Sequence, residues 1–176
     1  MSGDGPARHL VLVGLMGAGK STVGRRCAKR LDRPFVDTDE LVEQLAGVSV
    51  AECFTLLGEA GFRELEQQAV ADACASPEPL VIACGGGAVL DGSNRRRLHD
   101  AGFVVWLQAP PEVLAERVGG GEDRPLLAGG STPITTLERL AVIREAAYEA
   151  AADAVVDTAG RSIDDVAHAV LAEYRP

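Results

Sequence analysis

Short runs of wholly apolar residues alternate along the chain with longer stretches in which apolar residues return every three or four positions. "HLVLVG" (9–14) is apolar up to its closing glycine, the pattern of a strand buried on both faces. "KSTVGRRCAKRL" (20–31) spaces Val23, Cys27 and Leu31 four apart, which predicts a helix with one buried side. "RPFVDTD" predicts a second strand, begun at Pro34, and residues 38–75 predict helix in pieces, broken at Gly47 and between Gly58 and Gly61. "EPLVIACGGG" predicts a third strand running into a glycine loop, and "DGSNRRRLHDAG" a capped helix that ends at Gly102. A fourth strand, "FVVWLQA", precedes "PPEVLAERV", a helix with prolines at its start. "GGGEDRPLLAGGS" (119–131) predicts a mobile loop; a long helix at 134–152, a fifth strand "AVVDTAG" and a last helix "SIDDVAHAVLAEY" follow. Strands alternating with helices predict an α/β fold with a parallel sheet inside and helices on its faces. Neither an internal repeat nor a linker divides residues 1–176, so one domain is expected.

Composition narrows the partners. A formal net charge of −9 opposes general binding to nucleic acid or to an anionic membrane, which needs a positive field. It leaves room for one small anion in a locally basic pocket. No apolar run reaches the roughly 18 residues of a membrane span, and "MSGDGPARHL" lacks the basic-then-apolar layout of a signal peptide. Cys27, Cys53, Cys74 and Cys84 form no C-x-x-C pair, and His9, His99 and His168 show no metal-ligand spacing. A cytoplasmic protein with reduced thiols is expected. Arg95, Arg96 and Arg97 read as solvated helix charges rather than a basic patch.

Chemistry begins at "VGLMGAGKST" (13–22). Gly14, Gly19, Lys20 and Ser21 fit G-x-x-x-x-G-K-[ST], with a strand before and a helix after. Such a loop wraps phosphate with backbone N–H groups from Gly14, Met16, Gly17, Ala18, Gly19, Lys20, Ser21 and Thr22, and the helix N-terminus adds positive potential. Lys20 would reach the β- and γ-phosphates and Ser21 would ligate Mg²⁺. Only Lys20 and Lys29 are lysines, against fifteen arginines. A compact ammonium on a flexible stem follows a moving phosphoryl group better than the rigid guanidinium fork.

A phosphate loop serves both GTPase switches and small-molecule kinases. The switch reading lacks its guanine-reading Asn-Lys-x-Asp segment, since the only asparagine, Asn94, precedes an arginine. "DTAG" (157–160) superficially matches the switch Asp-x-x-Gly but lies on the last strand. The kinase reading needs an acceptor site. In "FVDTD", Asp37 and Asp39 are two apart, so on an extended strand end both face one way. One carboxylate can hold Mg²⁺ through water and the other can align, or take a proton from, a hydroxyl. Either could instead cap the helix of "ELVEQL". "GFRELEQQ" puts Arg63 and Glu66 three apart on a helix, where they can pair; alone, such a pair is usually solvated. Gly85, Gly86 and Gly87 let backbone approach a ligand closely and present N–H groups to it.

The order "GLMGAGKST", "FVDTD", "GFRELE", "CGGGAV", "RPLL" and "IREAAYEAAAD" resembles the shikimate kinases across nearly the whole chain. The resemblance implies a P-loop kinase fold whose five-stranded parallel sheet has the order 2-3-1-4-5. It implies a substrate-binding helical region at about 38–75 and a mobile lid at about 119–131. The implied reaction is phosphorylation of the shikimate 3-hydroxyl with ATP as co-substrate and one Mg²⁺, a step toward chorismate and the aromatic amino acids. Asp39 would bind the acceptor hydroxyl, Arg63 and Arg144 the carboxylate, with Gly86 and Gly87 against the substrate and Asp37 behind the metal. Lys20 and Arg124 would act on the phosphates, Arg124 swinging in from the lid. Arg117 would flank adenine, and Arg161, in "TAGRS", would join it. Shikimate and ATP are the expected partners of a monomer. The same fold and loop would also suit a kinase for another hydroxylated carboxylate such as gluconate. Arg63, Arg144 and the triple glycine argue for shikimate, and little chain is left for the larger nucleotide-monophosphate domain of an adenylate kinase.

Overall fold

The computed structural model describes residues 8–119 and 132–174. Five strands, β1 (His9–Val13), β2 (Phe35–Asp37), β3 (Val81–Ala83), β4 (Gly102–Gln108) and β5 (Ala154–Asp157), form one parallel sheet in the order β2-β3-β1-β4-β5, as expected. Central β1 explains the apolar run: Val11 stands opposite Ile82 on one side and Val104 on the other. Leu10, Val11, Leu12 and Val13 are all buried, because helices cover both faces.

The helices are α1 (Lys20–Leu31), α2 (Thr38–Ala46), α3 (Val50–Cys74), α4 (Gly92–Ala101), α5 (Pro111–Val118), α6 (Pro133–Ala151) and α7 (Ile163–Glu173), with a 3-10 turn at Ala88–Leu90. α1 buries Val23, Gly24, Cys27 and Ala28 and packs beside α7. α2 ends at Gly47, whose φ of 71° is the left-handed conformation glycine allows. α3 begins with a capping box between Ser49 and Glu52 and breaks at Gly58 (φ 69°, ψ −179°), inside the predicted interruption. α2 and α3 meet at 84° and share a small core of Val42, Cys53, Phe62 and Ala69, apart from the main one. Among the described residues no single helix is long and apolar enough to cross a membrane. Cys27, Cys53 and Cys84 are buried, and none of the four cysteines is in a disulfide. Arg95 does not stand free in solvent as expected: it donates to the carbonyls of Val89 (2.6 Å) and Leu90 (3.1 Å), closing the end of the 3-10 turn.

Two predicted strands are shorter than their apolar runs. β3 stops at Ala83, before Cys84 and the glycines, and β2 stops at Asp37 because that residue already caps α2. The phosphate loop, Asp37 and the glycine segment therefore all leave the carboxyl ends of neighbouring strands, where open parallel sheets bind ligands. The opposite edge is fastened. Arg8 donates to the carbonyls of His99 and Gly102, both at 2.5 Å, and the Tyr174 hydroxyl donates to the Arg8 carbonyl. Arg33 in turn donates to the Tyr174 hydroxyl at 2.7 Å.

Candidate active site

The loop between β1 and α1 uses glycine where nothing else fits. Gly14, Gly17 and Gly19 have φ of 145°, 83° and 93°. A Cβ on Gly14 would meet the Leu107 carbonyl oxygen at 2.4 Å, and one on Gly17 the Leu114 oxygen at 2.9 Å. Gly19 is the N-cap of α1 and supplies no side chain, so the first N–H groups of the helix face the loop. Lys20 Nζ donates to the carbonyls of Gly14 (2.8 Å) and Leu15 (3.0 Å), holding the ammonium across the loop. Ser21 Oγ donates to Asp37 Oδ2 at 2.6 Å, which ties the loop to the end of β2.

A cavity of about 1150 Å³ runs from this loop in two directions, and its walls include Met16, Gly17, Ala18, Gly19, Lys20, Ser21 and Thr22. Gly14 is buried behind them. At one end stand Arg117 and Arg161. Arg117 donates to Thr158 Oγ1 (2.9 Å) and O (2.8 Å) and to Gly17 O (3.3 Å). Arg161 donates to the carbonyls of Asp157 (3.1 Å) and Asp165 (3.2 Å), so both arginines brace the loop after β5. Arg124, and all of the proposed lid except Gly119, lie outside the described residues.

The other end brings Asp39, Arg63, Glu66, Gly86, Gly87 and Arg144 to one wall. The expected geometry of the two aspartates needs correcting. Asp39 is not on an extended strand end; it lies in the first turn of α2. Asp37 is the N-cap, accepting from the Asp39 N–H at 3.0 Å. Capping thus belongs to Asp37 and leaves the Asp39 carboxylate to the cavity. Burial, then the neighbouring Asp37 carboxylate, pushes the Asp39 carboxyl up to about 6, partly opposed by Lys20.

Arg63 and Glu66 pair at 2.7 Å, but not as a solvated surface pair: Glu66 is 2% exposed. Burial outweighs Arg63 and Arg144 and raises the Glu66 carboxyl above the usual range. Arg144 is 3% exposed, and its Nε has no hydrogen-bond partner. The three glycines explain how these groups fit. A Cβ on Gly85 would lie 2.6 Å from Asp39 Oδ1 and 3.0 Å from Glu66 Oε1; on Gly86, 3.1 Å from Arg144; on Gly87, 2.4 Å from Arg63. The space that side chains would take is filled by the site's own charged groups. Gly85 differs from its expected place: it is buried behind Asp39 rather than on the cavity wall, and its N–H donates to Thr38 Oγ1 at 2.9 Å.

Sequence reasoning passed over Glu66 as more than a partner for Arg63, and over Thr38 and Tyr148 entirely. Tyr148 donates its hydroxyl to Gly86 O at 2.6 Å. Its signal was present, four residues after Arg144 on the same helix face. Phe54 and Phe62 also line the cavity, stacked with centroids 4.3 Å apart.

A parallel sheet in this order, a phosphate loop after its central strand and a carboxylate facing the loop across a cavity define a P-loop kinase. The sequence model of the shikimate kinase family matches residues 16–175, and the chain belongs to that family. It is 49% identical to a shikimate kinase of Symbiobacterium thermophilum over 93% of this chain and 94% of that one. With a shikimate kinase of Dechloromonas aromatica the identity is 44%, over 95% and 90% of the two chains. The structure of the Acinetobacter baumannii shikimate kinase in complex with shikimate superposes with a TM-score of 0.90 at 36% identity, covering 94% of this chain and 92% of that one. A gluconokinase from Sinorhizobium meliloti, at 22% identity and a TM-score of 0.55, shares the fold alone.

Proposed function

We propose that this kinase transfers the γ-phosphoryl group of ATP to the 3-hydroxyl of shikimate, giving shikimate 3-phosphate and ADP. The observation that carries the reading is the charge balance of the acceptor wall. Arg63 is matched by Glu66, while Arg144, on the same cavity wall, has no ion pair among the described residues, so the wall keeps one uncompensated guanidinium for a substrate carboxylate. Asp39 stands on the same wall, half-buried, with its carboxyl raised to about 6, near enough to neutral to take a proton.

ATP would lay its phosphates on the loop's N–H groups, with Arg117 and Arg161 beside the adenine. Lys20 would then leave the carbonyls of Gly14 and Leu15 and follow the transferred group, offsetting its charge. Asp39 would align the 3-hydroxyl and accept its proton as the new P–O bond forms. Ser21 Oγ and Asp37 are oxygen donors 2.6 Å apart beside the loop, which suits Mg²⁺, an ion that keeps waters and phosphate oxygens as its other ligands. When bound, that ion supplies charge neutralisation on the phosphates. The reading places the enzyme as a cytoplasmic monomer on the route to chorismate and the aromatic amino acids.

A coupled assay of ADP release tests the reading. Shikimate should support turnover and gluconate should not. Arg63→Ala and Arg144→Ala should each raise the shikimate KM about ten- to a hundredfold, the effect of losing a charged hydrogen-bond partner, and leave the ATP KM nearly unchanged. A raised ATP KM with an unchanged shikimate KM would remove that arginine from the acceptor site.

A further inference from the structure

We propose that Tyr148 is a positioning residue whose hydroxyl aims the Arg144 guanidinium at the substrate carboxylate; the inference rests on the function proposed above. Tyr148 lies on α6, one turn after Arg144, and is 1% exposed. Its ring stacks on Trp106, with centroids 5.4 Å apart and planes 23° apart, so the phenol has little freedom to turn. The hydroxyl donates to Gly86 O at 2.6 Å, and Arg144 Nη1 lies over the same glycine, 3.1 Å from where its Cβ would stand, so the phenol and the guanidinium flank one residue.

The polarity that the hydroxyl presents to each neighbour follows from proton count. A phenol has one proton, and here it goes to the Gly86 carbonyl, so toward Arg144 the oxygen can only accept. Arginine can only donate, so the two requirements agree. Burial pushes the phenol up to about 12, which keeps that proton in place across the working pH range.

The two arginines of the acceptor wall are held in different ways. Arg63 is held by carboxylates, Glu66 at 2.7 Å and Glu59 at 3.4 Å, which partly cancel its charge. Among the described residues Arg144 makes no ion pair within 4.0 Å. A neutral hydroxyl gives it direction without consuming its charge, so the guanidinium stays available to an incoming carboxylate. The same hydroxyl is tied to Gly86, on whose Cα face Arg144 lies, so the arginine and the glycine segment keep one mutual position.

Tyr148→Phe keeps the ring and its stack on Trp106 and removes only the hydroxyl. The shikimate KM should rise about tenfold while the ATP KM and the thermal midpoint stay close to wild type. In an Arg144→Ala background, adding Tyr148→Phe should change the shikimate KM by about twofold or less, because the hydroxyl has lost the group it aims. An unchanged shikimate KM in Tyr148→Phe, with wild-type turnover of shikimate intact, overturns the inference alone. The full tenfold penalty persisting in the double variant also overturns it, by placing the hydroxyl's effect elsewhere. Wild-type protein that fails to phosphorylate shikimate removes the proposed function and this inference together.

Discussion

Asp39 is a residue that the fold holds at a cost. Burial and the carboxylates of Asp37, Glu66 and Glu43 raise its pKa to about 6, above the unfolded value. The folded chain therefore binds this proton more tightly than the unfolded chain does. Stability is greatest when Asp39 is protonated and falls as pH rises from about 4 through about 6. Asp39→Asn should then gain on the order of 1–3 kcal/mol at pH 7 to 8, read as a raised thermal midpoint. It should also lower kcat about 10²-fold or more, since asparagine can hold the hydroxyl but not take its proton. Wild-type kcat/KM for shikimate should show an acid limb near pH 6, and the variant should flatten it. Near-wild-type kcat in Asp39→Asn would take Asp39 out of the chemistry.

How much of the site could be read in advance differs residue by residue. Lys20 and Ser21 were legible because a phosphate loop is local: its spacing, glycines and flanking elements are all within one short stretch. Asp39 lines the cavity, but the expectation put it on an extended strand end that the structure replaces with a helix turn capped by Asp37. The environment of Glu66 was not legible. Three residues from Arg63 on a helix, it has the signature of a surface ion pair. What buries it is the glycine segment after β3, about twenty residues later, and nothing in the local pattern of either stretch names the other.

That segment is the element in which position matters most. Its glycines back different groups, so identical substitutions should fail differently. Gly87→Ala would push the far end of Arg63, a long side chain that can shift, and should raise the shikimate KM with kcat largely kept. Gly85→Ala would meet Asp39 Oδ1 at 2.6 Å and Glu66 Oε1 at 3.0 Å, two carboxylates at once. Displacing the Asp39 carboxylate, the proton acceptor of the proposed reaction, should lower kcat by about 10²-fold, since a misplacement of about 1 Å costs that much. Steady-state kinetics of the two variants separates the roles; equal losses in both parameters would mean a general collapse of the turn. The break of α3 at Gly58 was legible as an interruption, whereas the Ser49–Glu52 capping box that restarts helix after Gly47 was not drawn from the sequence, though its residues spell it.

At the scale of the molecule, the apolar runs marked each strand and the sheet class followed from their alternation with helices. The order β2-β3-β1-β4-β5 came from the resemblance, because periodicity does not say which strands are neighbours. All the chemistry leaves the carboxyl edge of this sheet, and the fastening of Arg8, Arg33 and Tyr174 lies on the other. The described chain is thus nearly a closed loop, with residues 8 and 174 side by side. A short glycine–serine linker could join these two points, and new ends could be opened in the exposed turn at Pro77–Glu78. Such a rewired enzyme should keep both KM values and lose only some thermal stability. Anchored to a bead or an electrode at the Arg8–Tyr174 edge, the enzyme would face its cavity outward to the solution.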